Sequence, residues 1–155
     1  MAERAVVFDV GNVLFHWDPE KLYARLIPDA DERRRFLTEI CTPAWNLGFD
    51  AGSPMPEGVE AHAERHPAHA DLIRAWWTGW AEMTGPQIDG SVSCLRALKA
   101  RGVPVLGLTN FAAETFAIAR TLYLVLNEFD LCVVSADVKC VKPDPQIYAI
   151  VEQRS

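Results

Sequence analysis

Basic residues are scarce in this sequence and are not concentrated in any segment. The 155 residues include 15 lysines and arginines against 21 aspartates and glutamates, which gives a formal net charge of −6. Nucleic-acid-binding proteins usually carry a basic patch or stripe, and the scattered positive charges here form none. We therefore predict no nucleic-acid partner, and an anionic ligand would have to meet a local positive charge instead.

Cysteines and long apolar runs are also scarce. The first apolar run is short and is interrupted by Asp9, so it is typical of neither a signal peptide nor a membrane span. The cysteines show no Cys-x-x-Cys spacing and no evident histidine partner, which favours reduced, unreactive thiols. They are Cys41, Cys94, Cys132 and Cys140. The sequence thus predicts a soluble cytoplasmic protein without a membrane partner.

The composition is that of an ordinary globular protein, and strand-like segments alternate with helix-like segments. Hydrophobic residues make up 50% of the chain and charged residues 23%, which argues against disorder. Short apolar runs predict strands within residues 5–8, 103–110 and 129–137. Helical spacing of apolar residues predicts helices at residues 91–102, 112–123 and 145–154. Strands separated by helices pair in parallel, so we predict an α/β fold with a Rossmann-like parallel sheet.

The stretch from residue 18 to residue 83 has a different character. Its apolar residues follow helical spacing, and no segment shows a strand pattern. Residues 48–58 contain two prolines and three glycines, which predicts a loop between helices. We therefore predict that an all-helical cap is inserted into an α/β core, with the cap at residues 16–87 and the core at residues 1–15 and 88–155.

Polar residues follow each of the three predicted strands. They are Asp9 after the first strand, Thr109 and Asn110 after the second, and Lys142 after the third. The carboxyl ends of parallel strands lie along one edge of a sheet, and ligands of such folds bind there. The sequence therefore predicts a single crevice that contains a carboxylate, a hydroxyl, an amide and an ammonium group.

These groups suit phosphoryl transfer. The Asp9 carboxylate can attack phosphorus and form an acyl phosphate, which divides one difficult step into two. Thr109 and the backbone N–H of Asn110 can hold phosphate oxygens, while Lys142 can neutralise their charge. A Mg²⁺ ion between Asp9 and the phosphate would reduce the repulsion between the two anions.

Three segments resemble the motifs of a known family. VVFDVGNVLF, LTNFAAETF and VKPDPQIY have the order and spacing of the first three motifs of the haloacid dehalogenase-like hydrolases, and the likeness spans the whole chain. The resemblance implies that Asp9 is the nucleophile, that Thr109 binds phosphate and that Lys142 neutralises charge. It also implies a helical cap, a Mg²⁺ ion bound by Asp9 and the backbone carbonyl of Gly11, and a small phosphorylated metabolite as the substrate.

Gly11 departs from the pattern of many phosphatases of this family. They often carry a second aspartate two positions after the nucleophile, as general acid and base, and this sequence has a glycine there. The 2-haloacid dehalogenases also lack that aspartate. In their reaction the nucleophile attacks carbon and displaces halide, which requires a cationic clamp for the substrate carboxylate and no metal. Residue 11 therefore leaves two reactions open, of which we favour the Mg²⁺-dependent phosphatase.

The fourth motif of the family is an acidic pair that completes the Mg²⁺ site, and it does not occur in this sequence. The carboxylates after Lys142 are Asp144, which suits a helix N-cap, and Glu152, farther along the same helix. We therefore expect an incomplete core, and a third hypothesis is a fragment that binds phosphate without turnover. We also expect residues 5–8 to form an exposed edge strand, with weak stability, self-association through that edge and weak Mg²⁺ binding.

Histidines and tryptophans in the predicted helical segment invite a functional interpretation. His62 and His66 have a metal-ligand spacing, but a proline interrupts the helix and no acidic or cysteine partner accompanies them. We predict a solvated helix face there. Trp76 and Trp80 share a helix face, which favours core packing, with lining of a substrate pocket as the alternative. The same alternatives apply to Trp45.

Overall fold

The computed structural model describes residues 4–155, and within them the chain is a mixed α/β structure, as predicted. Its strands are β1 (Val6–Phe8), β2 (Phe15–Trp17), β3 (Thr84–Gln87), β4 (Val105–Thr109) and β5 (Leu131–Val134). Its α-helices are α1 (Glu20–Leu26), α2 (Ala30–Arg35), α3 (Pro43–Asp50), α4 (Met55–Arg65), α5 (Ala70–Thr78), α6 (Asp89–Ala100), α7 (Ala113–Leu122), α8 (Ser135–Val138) and α9 (Pro145–Arg154).

Three of the strands form the predicted parallel sheet, in the order β1-β4-β5. Val6 pairs with Val105, and Leu106 pairs with Leu131. Every residue of the middle strand β4 is buried, as expected for a parallel strand that is covered on both faces. Each of the three strands lies inside the range predicted from its apolar run.

Helices cover both faces of the sheet. On one face Val105 joins the larger hydrophobic core, to which α6 contributes Leu95 and α7 contributes Ala119. On the other face Leu106 packs with Ile147 of α9. Neighbouring residues of β4 thus point to opposite sides, because side chains alternate along a strand. This layering leaves the carboxyl edge of the sheet to the loops that connect strands to helices.

The ends of two helices follow the signals in the sequence. Asp144 accepts a hydrogen bond from the N–H of Gln146 at 2.9 Å, and Pro145 is the first residue of α9. At the other helix, α6 ends shortly before Gly102, whose φ is +74°. Glycine adopts this left-handed conformation without steric cost. The Asp144 cap fixes the start of α9 directly after the loop that carries Lys142.

Residues 18–83 contain helices and turns and no strand, in agreement with the sequence pattern. The loop predicted at residues 48–58 is shorter than expected, since α3 runs to Asp50 and α4 begins at Met55. A side chain at Gly58 would overlap the ring of Phe49. The glycine that we interpreted as a breaker therefore permits close packing of two helices.

A two-stranded antiparallel ribbon of β2 and β3 was not predicted. Phe15 pairs with Gln87 and Trp17 pairs with Thr84, with an irregularity between the two pairs. The ribbon is anchored from the core, where the Tyr123 hydroxyl donates to the carbonyl of Gly85 at 2.5 Å. The chain therefore enters and leaves the helical segment through two adjacent strands.

The prediction of a solvated histidine face is wrong for His62. This residue is buried, its Nε2 lies 2.9 Å from the carbonyl oxygen of Ile40, and its ring stacks on Trp45 at 4.7 Å. Desolvation on burial lowers the pKa of His62 below the usual histidine value. Within residues 4–155 no three His, Cys, Asp or Glu side chains form a group that could hold a metal ion. The histidine therefore packs in the helical segment.

The tryptophans build an aromatic core in the helical segment. Trp76 and Trp80 are buried, and Trp76 makes edge contacts with Trp45 at 5.5 Å and with Trp17 at 6.3 Å between ring centroids. Trp76 and Trp80 each also line one of two cavities described below. For these two residues core packing and pocket lining are therefore not exclusive alternatives, whereas Trp45 packs against Phe49 and His62.

The structure also bears on membrane-spanning helices and on the state of the cysteines. No helix in the part of the chain that the structure describes has both the length and the apolar character that a membrane crossing requires. The four cysteines are free thiols. Burial raises the pKa of Cys41 to about 12 and that of Cys132 to about 11, which disfavours the reactive thiolate form at these two positions.

Candidate active site

Asp9 directly follows β1, at the carboxyl edge of the sheet. Its Oδ1 accepts a hydrogen bond from the N–H of Val10 at 2.8 Å and lies 2.9 Å from the Nζ of Lys142. The Asp9 side chain is 48% exposed, so a ligand can reach it from solvent. Both contacts fall on Oδ1, and neither engages Oδ2. One carboxylate oxygen is therefore held by the protein while the other can meet a ligand.

Lys142 reaches this edge from the loop between α8 and α9. Besides Asp9, its Nζ contacts the carbonyl oxygen of Leu108 in β4 at 3.2 Å. The Lys142 side chain is 21% exposed, which leaves its charge less screened than that of a surface lysine. The prediction that residues distant in sequence converge at one edge thus holds for Asp9 and Lys142.

Asn110 holds the loop that carries Lys142. Its Nδ2 donates to the carbonyl of Lys142 at 3.1 Å, and its Oδ1 accepts from the N–H of Lys142 at 2.8 Å. The sequence analysis considered the backbone N–H of Asn110 as a phosphate ligand and missed this reciprocal side-chain contact. The Asn110 side chain thereby joins the second and third polar clusters.

Thr109 is the last residue of β4 and is 1% exposed. Its Oγ1 lies 3.5 Å from the carbonyl oxygen of Asn110, which is at the long limit for a hydrogen bond. The structure thus places Thr109 at the predicted edge without bringing its hydroxyl into contact with Asp9 or Lys142. Its predicted role in phosphate binding stays a prediction.

Gly11 borders a small cavity next to the Asp9 loop. A Cβ atom added at Gly11 would meet no atom within 4 Å, so the space above this residue is open. The cavity has a volume of about 90 Å³, comparable with about three water molecules in the liquid. Its walls are formed by polar and aromatic residues from both parts of the chain. They are Gly11, Trp17, Asn46, Asp50, Met55, Trp80, Asn110, Phe111 and Thr115.

A second and larger cavity continues from the first into the helical segment. Its volume is about 370 Å³, and it shares Trp17, Asn46 and Asp50 with the small cavity. Trp76 lines this second space. The small cavity is lined by Gly11 and Asn110 near the strand ends, and the larger one by Trp76 of the aromatic core in the helical segment.

Asp50 is the residue at this site that the sequence analysis missed. It ends α3, lines both cavities, and its pKa is raised to about 6 because burial disfavours the charged form. A hydrogen bond from the N–H of Ala112 opposes this shift. The available signal was the spacing of Asn46 and Asp50, which places their side chains on one helix face. That signal carries little weight without the fold.

Ser135 connects the three segments around Asp50. It is fully buried after β5, and its Oγ accepts a hydrogen bond from the N–H of Phe111 at 2.9 Å. The same hydroxyl donates to the backbone carbonyl of Asp50 at 2.5 Å. The end of α3 is therefore fixed against the loop after β4, and the position of Asp50 in the cavity is a property of the packed core.

The described residues offer limited donors for a metal ion. Asp9 contributes a half-exposed carboxylate, and the Gly11 backbone lies two residues farther along the same loop. In residues 4–155 no group of three or more carboxylate, histidine or cysteine side chains is arranged to hold a metal ion. Mg²⁺ commonly uses one or two carboxylates and keeps several waters and substrate phosphate oxygens as ligands. The donor chemistry therefore fits a Mg²⁺ ion that depends on water and phosphate for much of its coordination.

An open parallel sheet with helices on both faces, and with an aspartate and a lysine paired at its strand ends, defines an α/β enzyme. The chain belongs to the haloacid dehalogenase-like hydrolases, since a sequence model of that family matches residues 3–155. This confirms the family expected from the three motifs. No curated protein sequence matches the chain.

Solved structures of the same family share the fold. A haloacid dehalogenase family enzyme from Bacteroides thetaiotaomicron, in complex with magnesium and inorganic phosphate, matches with a TM-score of 0.69 and 17% identity, over 99% of this chain and 79% of the other. The L-2-haloacid dehalogenase from Xanthobacter autotrophicus, with chloropropionic acid covalently bound, matches with a TM-score of 0.63 and 19% identity, over 98% and 64%. A putative β-phosphoglucomutase from Thermotoga maritima gives 0.63 and 21%, over 97% and 70%.

Proposed function

We propose that this protein is a Mg²⁺-dependent phosphatase that acts on a small phosphorylated metabolite. Asp9 is the nucleophile, Lys142 the charge-neutralising residue, and Thr109 and Asn110 the phosphate-binding residues. Asp9 and the backbone carbonyl of Gly11 hold the Mg²⁺ ion. Residues 16–87, which contain the helices between β2 and β3 and most of the ribbon itself, serve as the cap that covers the substrate.

The observation that carries this proposal is the contact between Asp9 Oδ1 and Lys142 Nζ at 2.9 Å. An ammonium group in that position attracts a phosphate to the carboxylate that is to attack it. It also orients the carboxylate, because Oδ1 is fixed and Oδ2 is directed to the ligand. The magnesium and phosphate complex of the Bacteroides enzyme supports the same ligands for a fold of this kind.

In this reaction Asp9 forms the new bond, whereas Lys142 and Asn110 act in binding and positioning. Oδ2 of Asp9 forms a bond to phosphorus as the bond from phosphorus to the leaving oxygen breaks, which yields an acyl phosphate. Lys142 stays next to the phosphate oxygens in both states, and the Asn110 side chain keeps its loop in place. A bound Mg²⁺ ion supplies charge neutralisation between the carboxylate and the phosphate.

A 2-haloacid dehalogenase is the second candidate, and the lining of the two cavities supports the phosphatase over it. That reaction needs a cation to hold the carboxylate of the substrate. Neither cavity has an arginine or a lysine among its described lining residues. The shared fold with the Xanthobacter dehalogenase supports the covalent use of an aspartate, which the phosphatase reaction also requires.

The test is a hydrolysis screen with the wild-type chain and two variants. The substrates are p-nitrophenyl phosphate, a panel of small phosphorylated metabolites, and 2-chloropropionate, each with Mg²⁺ and with EDTA. Asp9→Asn should reduce turnover by at least about 1,000-fold, since an amide is a poor nucleophile of nearly the same shape. Asp31→Asn is the matched control because that carboxylate is 69% exposed and contacts Arg34 on the helix surface.

Each outcome of the screen separates the hypotheses. Phosphate release that needs Mg²⁺ and is lost in Asp9→Asn supports the proposal. Halide release without Mg²⁺ would replace it with the dehalogenase. Phosphate binding without turnover in the wild type would indicate the non-catalytic hypothesis. Near-normal rates for Asp9→Asn would exclude the covalent mechanism altogether.

A further inference from the structure

We propose that Asp50 is the proton donor to the leaving group, the role that a second aspartate at position 11 would otherwise perform. The inference rests on the proposed function, because it assigns the acid for that same reaction. It concerns a carboxylate that lies 41 positions from Asp9 in the chain and reaches the site only because α3 packs against the core.

The first argument is position. Asp50 and Gly11 are two walls of the same cavity, whose volume is about 90 Å³. Proton transfer requires direct contact or one bridging water molecule, and a leaving oxygen in this cavity would share the space that Asp50 lines. The space above Gly11 is open, so a leaving group can occupy the cavity while its phosphate lies at Asp9.

The second argument is that the Asp50 side chain is held in place. Its carboxylate accepts the N–H of Ala112, directly before α7, and its own backbone carbonyl accepts the hydroxyl of Ser135. These two contacts come from the loops after β4 and β5, the same loops that carry Asn110 and lead to Lys142. The acid is thus positioned by the elements that position the phosphate-binding groups.

The third argument is protonation. A general acid must hold a proton near neutral pH and must release it during the reaction. Burial raises the pKa of Asp50 to about 6, so a useful fraction of this carboxyl group is protonated at the pH of a typical assay.

The proton balance covers both steps. When Asp9 Oδ2 bonds to phosphorus, the pair of electrons in the broken bond goes to the leaving oxygen, and the Asp50 carboxyl proton moves to that oxygen. An alcohol departs and Asp50 is left as a carboxylate. Water then attacks the phosphorus of the acyl phosphate and gives one proton to Asp50, while the bond between phosphorus and Asp9 Oδ2 breaks and its electron pair returns to the Asp9 carboxylate. Inorganic phosphate and both starting side chains are regenerated, so Asp50 acts first as acid and then as base.

The experiment compares two substrates that differ in their need for a proton. Phenyl phosphate releases a basic phenolate, whereas 2,4-dinitrophenyl phosphate releases an anion that is stable without protonation. Asp50→Asn should lower kcat/KM for phenyl phosphate by about 100-fold or more, and should lower kcat/KM for the dinitrophenyl ester at least 10 times less. The ratio kcat/KM is compared because it covers the reaction up to departure of the leaving group and leaves out the hydrolysis of the acyl phosphate that both esters share. Asn can still accept the N–H of Ala112, so the fold contact is kept. Asp71→Asn, whose side chain is fully exposed, is the control.

A double variant, Gly11→Asp with Asp50→Asn, places a carboxyl group in the same cavity at position 11 instead of position 50. Gly11→Asp is sterically possible because an added Cβ meets no atom within 4 Å. In the Asp50→Asn background it should raise kcat/KM for phenyl phosphate at least about 10-fold. The wild-type rates on a series of substituted phenyl phosphates provide a second test that does not require Asp50→Asn to fold. Those rates should depend only weakly on the acidity of the leaving phenol.

The outcomes distinguish this inference from the proposed function. Equal losses on both esters in a folded Asp50→Asn variant would overturn the role of Asp50 and leave the phosphatase in place. A steep dependence of the wild-type rates on the leaving phenol, or no rescue by Gly11→Asp, would also overturn it. If the wild type hydrolysed neither ester, the proposed function would fail and the role of Asp50 with it.

Discussion

Lys142 is fixed by contacts from two separate parts of the chain, the residue after β1 and the end of β4. Its Nζ contacts Asp9 and the carbonyl oxygen of Leu108, and its backbone is bracketed by the side chain of Asn110. A cation that is already oriented stabilises developing charge without the cost of reorganisation during the reaction. A lysine on a free loop would lose this advantage, so the positions of these neighbours matter as much as the charge.

Lys142→Ala should weaken the binding of phosphate or vanadate by at least about 10-fold, because the compact positive charge at the site is lost. Isothermal titration of wild type and variant in the presence of Mg²⁺ measures the change. Lys99→Ala is the matched control, since Lys99 pairs with Asp130 at 2.6 Å and not with the Asp9 site. Equal affinities in wild type and Lys142→Ala would remove Lys142 from the phosphate site.

Asp50 should make the stability of the protein depend on pH in a defined direction. Burial raises the pKa of its carboxyl group to about 6 from the ordinary 3.8, so the folded state holds the proton more tightly than the unfolded state. The stabilisation is therefore complete below about pH 4 and is lost as the pH rises through 6. A shift of this size corresponds to roughly 1–3 kcal/mol.

Asp50→Asn should remove this part of the pH dependence. Urea unfolding of wild type and variant at several pH values between 4 and 7 gives the difference in the free energy of unfolding. The stability of the wild type relative to the variant should fall over this interval. A difference that is constant across the interval would mean that the Asp50 carboxyl group titrates normally in the folded protein.

At the level of secondary structure elements, α3 and α4 meet at a glycine. A side chain at Gly58 would overlap the ring of Phe49, whereas a Cβ at Gly48 would meet no atom within 4 Å. Both glycines lie in helices, at positions where φ is not in the left-handed region. They therefore share the same helical propensity and differ in the space around them.

Gly58→Ala should destabilise the protein by about 1–3 kcal/mol, because the buried Phe49 ring must move to admit a methyl group. Gly48→Ala should stabilise it by up to about 1 kcal/mol, since alanine is the better helix former and has room. Thermal or urea unfolding of the two variants next to the wild type measures both effects. Stabilisation by Gly58→Ala would show that the contact between the helices is loose.

The elements differ in how well the sequence predicts them. The strands of the parallel sheet lie in short apolar runs, so all three were located, and β4 is buried throughout as such a run predicts. The ribbon was missed because β3 reads Thr-Gly-Pro-Gln, and glycine and proline are disfavoured in strands. Its pairing depends on a partner strand some seventy positions away, which local patterns cannot reveal.

In the candidate site as well, some residues can be predicted from the local sequence, whereas others depend on tertiary packing. Asp9 and Lys142 could be predicted because each comes after an apolar strand segment, and strand ends of a parallel sheet converge. Asp50 and the burial of His62 could not, because both depend on the packing of α3 and α4 against distant residues. The sequence shows that Asn110 follows β4, but it does not reveal the contacts that the Asn110 side chain makes with Lys142.

For the whole molecule, the order of the sheet leaves β1 at an edge. In residues 4–155 its strand neighbour is β4 alone, and the side chain of Val7 is 47% exposed. Unpaired backbone groups beside an apolar side chain favour pairing with another strand. We therefore expect a second copy of this chain to associate through β1, as the apolar run at residues 5–8 suggested.

Val7→Lys should weaken this self-association by at least about 10-fold, since a charge on an edge strand opposes pairing. Analytical ultracentrifugation over a range of concentrations gives the dissociation constants. Leu124→Lys is the matched control, because Leu124 is also an apolar residue on the surface, 70% exposed, and lies away from β1. A wild-type chain that remains monomeric at every concentration would contradict the prediction.

The ribbon of β2 and β3 has a consequence for how this protein can change over evolutionary time. Because Phe15 pairs with Gln87 and Trp17 with Thr84, the two ends of the helical segment lie side by side. A stretch of chain whose ends are adjacent can be lengthened, shortened or exchanged between genes without moving the strands from which it departs. We expect descendants of this gene to keep Asp9 and Lys142 while their helical segments diverge, so that new substrates are acquired by replacing one continuous piece of sequence.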